Sequence, residues 1–323
     1  MNDYINFNGE KTQILNGILD LGWKKIKDLS NIVEFDKLEH LKGLILREND
    51  LKVIPDSICL LSSLKVLNIA GNQLSYLPKS IGKMISIETL NLEYNQLITL
   101  PESLGNLLNL KILNLSNNNL TALPESIGNL KSLEDLNLEY NQLNEIPESI
   151  GNLKSLQILR LYQNNLKELP NSISNLKALK KLNIYYNPLN QLSESIGGLE
   201  KLQVLKSCQG TIETIPESIG NLKELRIIVL EENHLKKIPD SIGNLTSLQK
   251  LELSDNYLER LPESIGELKS LQKLNLAGNR LTHLPQVLTN LISLKELNIL
   301  DNPLKKIPKW INELKNQGVI IYH

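Results

Sequence analysis

One spacing governs this chain. Over residues 41–316 the sequence repeats every 23 residues, twelve times in succession, with no insertion between copies. The unit reads L-x-x-L-x-L-x-x-N-x-L-x-x-L-P-x-S-I-G-x-L-x-x, and LPESIGNLKSL at 123–133 returns almost unchanged as IPESIGNLKSL at 146–156. A period of this length marks an array in which each unit buries its apolar face against its neighbours. The chain has 323 residues, more than one compact core accommodates, but an array lengthens without thickening.

The residues of one unit dictate its path. In LKILNLSNNNL at 110–120, Leu113 and Leu115 alternate with Asn114 and Ser116, the pattern of a strand with one buried face. Leu120 and Leu123 turn inward, Pro124 stops further pairing, and PESIG reads as a short helical turn with Ile127 packed inward. Gly128 is expected to release the backbone toward Leu130. One strand per unit, always returning in the same direction, predicts a parallel sheet with right-handed crossovers. Asn recurs at the ninth position, as in Asn49, Asn72, Asn95 and Asn118. A buried carboxamide there both donates and accepts, so it satisfies backbone groups of its own and adjacent coils. The serine before each isoleucine, such as Ser126, Ser149 and Ser218, is expected to cap locally.

This phrasing resembles the leucine-rich repeat family over most of the chain. The L-P-x-S-I-G-N-L form is similar to the 23-residue subclass of Ras-group-related leucine-rich repeat proteins, and to arrays in bacterial proteins and Roco-type GTPases. The resemblance implies an α/β solenoid, a leucine-rich repeat horseshoe with a parallel β-sheet on the concave face and short helical or 3-10 turns on the convex face. It also implies recognition of a protein partner on the concave side. The expected organisation is one continuous solenoid domain: an N-terminal cap and divergent first repeat over 1–40, twelve repeats over 41–316, and a C-terminal capping strand over 317–323. In the first segment ILDLGWKKIKDL at 18–29 keeps the strand spacing, with Leu19, Leu21, Ile26 and Leu29 inward and Phe35, Leu38 and Leu41 following. Ile14, Leu15, Ile18 and Leu19 also fit a helical face, so a helix competes there.

Chemistry has little foothold. The net charge is −1, from 35 basic and 36 acidic residues, which gives no electrostatic case for nucleic acid or an anionic membrane. No apolar run is long enough to span a bilayer, so no membrane insertion is expected. Cys59 and Cys208 lie far apart and form neither metal spacing nor a disulfide framework. Neither nucleotide fingerprint occurs, and Ser never stands in G-x-S-x-G. His40, His234, His283 and His323 occupy unrelated repeat positions. Glu93 and Glu139 share a repeat position two strands apart, about 10 Å on strand spacing, too unspecialised for acid-base work. The expectation is no enzyme, no catalytic residue, no metal and no cofactor. The opening MNDYINFNGEKTQ lacks the basic-then-apolar pattern of a secretory signal, and the expectation is a cytoplasmic monomer.

What the repeat does not dictate should carry recognition, and those positions point out of the sheet. One outward column is mostly Asn (Asn68, Asn91, Asn114, Asn137) and reads as an amide ladder between strands, interrupted by Arg160, Lys206, Val229 and Glu252. The next includes Glu93, Glu139, Tyr162, Tyr185, Cys208 and Glu231, with Tyr94, Tyr140 and Tyr186 beside it at the strand ends. Five of nine tyrosines thus fall on neighbouring outward columns. Tyr suits contact surfaces because it covers area with little rotamer loss, and it also suits exposed strands for their own sake. The candidate partner-binding set is Tyr94, Tyr140, Tyr162, Tyr185 and Tyr186 with Arg160, Lys206, Glu93, Glu139 and Glu231. One coil breaks the pattern: Ser207 takes a core Leu place, Gly210 takes the Asn place, and Ser193 shortly before takes a Pro place. A local bend or adaptable site around Cys208, and drift in one unit, both fit. The leading functional expectation is a non-enzymatic scaffold binding a protein partner, in signalling of the small-GTPase kind. The alternatives are the recognition arm of a larger Roco-like GTPase, and a secreted host-binding or carbohydrate-binding repeat protein. Two Trp supply few platforms for the sugar reading.

Overall fold

The computed structural model describes residues 3–7, 10–29 and 38–323; Phe35 lies outside them. The chain forms two compact units, Met1–Leu159 and Arg160–His323.

The first unit opens on a hairpin, β1 (Asp3–Phe7) antiparallel to β2 (Glu10–Leu15). A turn through Asn16 and Gly17, both at positive φ, leads into β3 (Ile18–Asp20), antiparallel to β2 and parallel to β4 (Gly43–Ile45). Residues 14–19 are therefore strand and turn, and the competing helix is not formed. The hairpin covers the edge that β3 would leave unpaired. Then β5 (Val66–Asn68), β6 (Thr89–Asn91), β7 (Ile112–Asn114) and β8 (Asp135–Asn137) follow in chain order, each parallel to the last. The chain passes to the second unit at β9 (Ile158–Arg160).

The second unit repeats the design in β10 (Lys181–Asn183), β11 (Val204–Lys206), β12 (Ile227–Val229), β13 (Lys250–Glu252), β14 (Lys273–Asn275) and β15 (Glu296–Asn298). All pair in parallel, residue for residue at a 23-residue offset. A short helix, α1 (Ile311–Asn316), then precedes β16 (Ile320–Tyr322), which pairs in parallel with β15.

The period-two reading holds: Leu113, Leu115, Leu120, Ile127 and Leu130 are all 0% exposed. From β3 onward each strand is only three residues long, and the sequence shows what stops it in the repeats. Asn114 Oδ1 accepts the backbone N–H of Ser116 at 3.1 Å, and Asn68, Asn91 and Asn137 do the same two residues on. The outward Asn column is thus a row of local Asx turns, and the expected ladder between strands is corrected to that. The following residue is left-handed in coil after coil, as at Asn117 (φ 55°).

The ninth-position Asn closes the turn as expected. Asn118 Nδ2 donates to Leu115 O and Leu92 O at 3.0 Å, while its Oδ1 accepts from Leu97 N at 3.0 Å. One carboxamide therefore ties its own coil to the preceding one, in a site from which water is excluded.

Two expectations fail for one shared reason. Pro124 at φ −69° opens the 3-10 turn Glu125–Asn129 with no side-chain cap, and the hydroxyls of Ser103, Ser126, Ser149, Ser218, Ser241 and Ser264 are buried without a hydrogen-bond partner among the described residues. These serines do not cap. Gly128 has no positive φ; a Cβ there would lie 2.4 Å from Ser149 O and 2.8 Å from Ser149 Cβ. Gly meets its neighbour here because successive coils touch at this column, Gly128 against Ser149 and Gly266 against Val287, and a second side chain on the Gly side finds no room. The capping falls to lysines instead, as Lys131 Nζ donates to Gly128 O at 2.8 Å and Lys223 Nζ to Gly220 O at 2.8 Å. Ser193, standing where other coils have Pro, keeps the Pro dihedrals (φ −66°, ψ 151°) and is a true cap, its Oγ accepting from Ser195 N.

Candidate partner-binding face

The core-facing strand positions are fully buried, so the variable groups stand on the opposite, open face of the sheet. In the second unit that face gathers three tyrosines. Tyr162 and Tyr185 occupy the same position in adjacent coils, and Tyr186 follows at φ 54°. Ring centroids are 5.6 Å apart for Tyr162–Tyr185, 5.3 Å for Tyr162–Tyr186 and 4.8 Å for Tyr185–Tyr186. At such separations the rings touch in tilted and edge-to-face arrangements, each pair contributing about 0.5–1.5 kcal/mol beyond area burial. The left-handed backbone at Tyr186 is uncommon for a bulky side chain; the Asn187 carboxamide, bonded to Leu161 O, Ile184 O and Leu166 N, holds the turn that imposes it.

An open cavity of about 570 Å³ lies beside the rings, lined by Tyr162, Tyr185, Tyr186, Lys206, Val229 and Glu231, with Asn183, Ile227 and Lys250. The structure therefore unites Tyr162, Tyr185, Tyr186, Lys206 and Glu231 from the sequence-derived set. Arg160, on β9, does not line the cavity. Tyr94 (59% exposed) and Tyr140 (43%) stand at left-handed turns of the first unit, two coils apart. Glu93 and Glu139 precede them, Glu93 Oε2 accepting from Asn114 Nδ2 at 3.2 Å.

Sequence reasoning missed Ile227 and Lys250. Both belong to the third position of the repeat, the first residue of each short strand, whose side chain also leaves the core. The available signal was that this column, running Lys181, Val204, Ile227, Lys250 and Lys273, varies as freely as the two that were read.

Cys208 is corrected. It shares the outward column with Tyr185 and Glu231, yet it is 1% exposed, because its neighbours in that column are longer. Burial, then the nearby charges of Glu231 and Glu232, push its thiol up to about 12, so it is no nucleophile. Burial likewise raises the Tyr185 hydroxyl above its ordinary value. Burial and then the charge of Glu252 raise the Glu231 carboxyl. Glu252 itself is 2% exposed. Burial acts to raise its carboxyl, but hydrogen bonds from Lys250 and Asn275 and the charges of Lys250 and Lys273 outweigh that and lower it. Its Oε1 sits 3.0 Å from Lys250 Nζ and 3.4 Å from Lys273 Nζ, and Lys273 also pairs with Glu296 at 3.0 Å.

A larger cleft of about 710 Å³ follows the proline edge, lined by Glu217, Asp240 and Glu263 together with Lys237, Arg260 and His283. Its acidic row is written by the repeat itself, which makes it a property of the lattice. No group of His, Cys, Asp and Glu suited to hold a metal occurs among the described residues, and no helix there is long and apolar enough to cross a membrane.

Comparison with known proteins agrees with this geometry. A leucine-rich repeat region model matches residues 99–206, 135–227 and 173–256, and a leucine rich repeat model matches 39–97 and 246–304. No curated protein matches the chain. A solved leucine-rich repeat protein of Leptospira interrogans is 31% identical, with 94% of this chain and 95% of that one covered and a TM-score of 0.61. The plant peptide hormone receptor RGFR1, in complex with RGF2, is 29% identical over 87% of this chain and 50% of that one, at a TM-score of 0.70. An internalin of Listeria monocytogenes shares the fold at 21% identity, with 95% and 86% covered and a TM-score of 0.77. With its repeats matched from residue 39 to 304 and a relative aligned over nearly its whole length, the chain belongs to the leucine-rich repeat family.

Proposed function

We propose that the chain is a protein-binding scaffold, and that the open sheet face of Arg160–His323 recognises its partner through Tyr162, Tyr185 and Tyr186. The observation that carries this is the three-ring cluster itself. Three large amphipathic side chains stand in contact, and Tyr162 and Tyr185 are the aromatic residues of a column that elsewhere holds Arg47, Ala70, Glu93, Ser116, Glu139 and their like. Preassembled aromatic rings lose little entropy on binding. Likeness to a plant peptide hormone receptor supports recognition of polypeptide. Tyr94 and Tyr140, with Glu93 and Glu139, are proposed as contacts that the first unit makes on its own open face.

The perturbed groups are structural. A thiol near 12 and a carboxylate locked between two lysines hold charge away from reactivity, and we read the protein as binding without chemistry. The test is affinity capture from a native lysate with wild type and Tyr162→Ala/Tyr185→Ala in parallel. Partners retained by wild type and lost from the double variant support the proposal; identical recovery of every partner removes it.

A further inference from the structure

The charges beside the tyrosines are of two kinds. Lys250, Glu252, Lys273 and Glu296 form a continuous chain of ion pairs. Lys181 and Lys206 belong to no ion pair or side-chain hydrogen bond among the described residues. Both are exposed. They stand on adjacent parallel strands, Lys181 opposite Val204 and Lys206 two residues further along, a diagonal of about 8 Å on strand separation and rise. Two ammonium groups on flexible stems at that spacing converge on one carboxylate without rearranging the backbone.

Of the two lysines, Lys206 lines the basin beside the tyrosines, whose apolar side is Tyr185 with Ile227 and Val229; Lys181 stands outside that lining, on the strand before. The rings touch one another, so no slot for a cation exists between them. At the far ends of the strands the sign reverses, with Glu231 and Glu232, the latter accepting from Gln209 Nε2 at 2.7 Å. A negatively charged ligand is thereby confined to the lysine side.

We propose that this basin takes an extended polypeptide segment bearing an Asp or Glu next to an aromatic or branched aliphatic residue. The carboxylate lies between Lys181 and Lys206, and the apolar side chain packs against Tyr185 and Val229. This rests on the reading that the open face binds protein, and goes beyond it by naming the chemistry recognised. Such binding weakens as salt screens the exposed lysines.

The test is selection of a displayed random heptapeptide library on the full chain. Wild type is expected to enrich Asp or Glu beside Phe, Tyr, Leu or Ile. Lys181→Glu/Lys206→Glu is expected to lose those peptides by on the order of tenfold or more, and to enrich Lys or Arg at the same place instead. Circular dichroism melting of that variant should match wild type, since both lysines are exposed. If enriched peptides show no acidic preference, or charge reversal leaves selection unchanged while Tyr185→Ala abolishes it, the carboxylate assignment is overturned and the binding face survives. If wild type enriches nothing over Tyr185→Ala, both readings fall. Loss of selection on adding free phosphopeptide, with unmodified acidic peptides never enriched, also overturns the proposal, in favour of a phosphate.

Discussion

Two coils of the same length show how much of this molecule is lattice and how much is free. In coil 110–132 every repeat position is met: Leu115 fills the core, Ser116 stands above it, and Asn118 brackets the turn. In coil 202–224 the same places hold Ser207, Cys208 and Gly210. That coil has lost a core leucine and its carboxamide, yet β11 pairs in register on both sides and the 3-10 turn Glu217–Asn221 is intact. The neighbours account for this. Asn233 Nδ2 reaches back to Ser207 O at 2.8 Å, and Tyr186 N donates to Cys208 O at 3.0 Å. Because each bracket joins two coils, one missing bracket is half replaced from the next. The lattice relaxes where the face is least repetitive, beside the tyrosines and Lys206. Drift and function are therefore compatible at this coil.

That contrast is open to measurement. The largest effect is expected at Asn118→Ala, which strands buried backbone groups on two coils. It should lower stability by about 2–4 kcal/mol in urea unfolding, on the scale of unsatisfied buried groups. A loss below about 1 kcal/mol would mean that regular coils, too, are held chiefly by their neighbours. Next comes Gly128→Ala, whose Cβ would lie 2.4 Å from Ser149 O. Moving that backbone should cost about 1–3 kcal/mol, whereas a merely conformational role for the glycine would leave Ala neutral or stabilising. The irregular coil is probed through its thiol: with a value pushed up to about 12 by burial, Cys208 should resist iodoacetamide at pH 8 in native protein and react once the chain is unfolded. Rapid native labelling would show that this coil opens.

The smallest expected effect is a pH effect in the regular region. Glu88 is held down to about 2 by hydrogen bonds from Lys111 and then Lys65, at 2.8 and 2.9 Å. A lowered carboxyl contributes stability above its ordinary value near 4.5. That contribution disappears as pH falls from there through about 2. The pair stands at the surface, its lysines half exposed and Glu88 31% exposed, so solvent screens it and the change in stability is slight. Its NMR titration is the sharper observable, and Lys111→Ala should move it upward.

The sequence made the lattice legible because a 23-residue period multiplies every local signal by twelve. The inward leucines, the strand at each copy and the Asn118 bracket all follow from residues that repeat in phase. What escaped depends on the neighbour one coil away. Ser149 looks like a cap beside Pro147, and only its approach to Gly128 shows that it is a packing contact. Cys208 looks outward by phase, and only the length of Tyr185 and Glu231 buries it. Asn114 looks like a rung between strands, but it serves its own turn. At the candidate site the tyrosines were visible as a cluster, while Ile227 and Lys250 were not, because strands of three residues expose a third column that period-two reading of the core leucines leaves uncounted.

The most direct test of the account is hydroxyl-radical footprinting of the chain alone and with its captured partner. Protection of Tyr162, Tyr185 and Tyr186, with the proline edge and 3-10 turns unchanged, is the expected result. Protection confined to the proline edge, with the three rings as reactive as in the free chain, would contradict it.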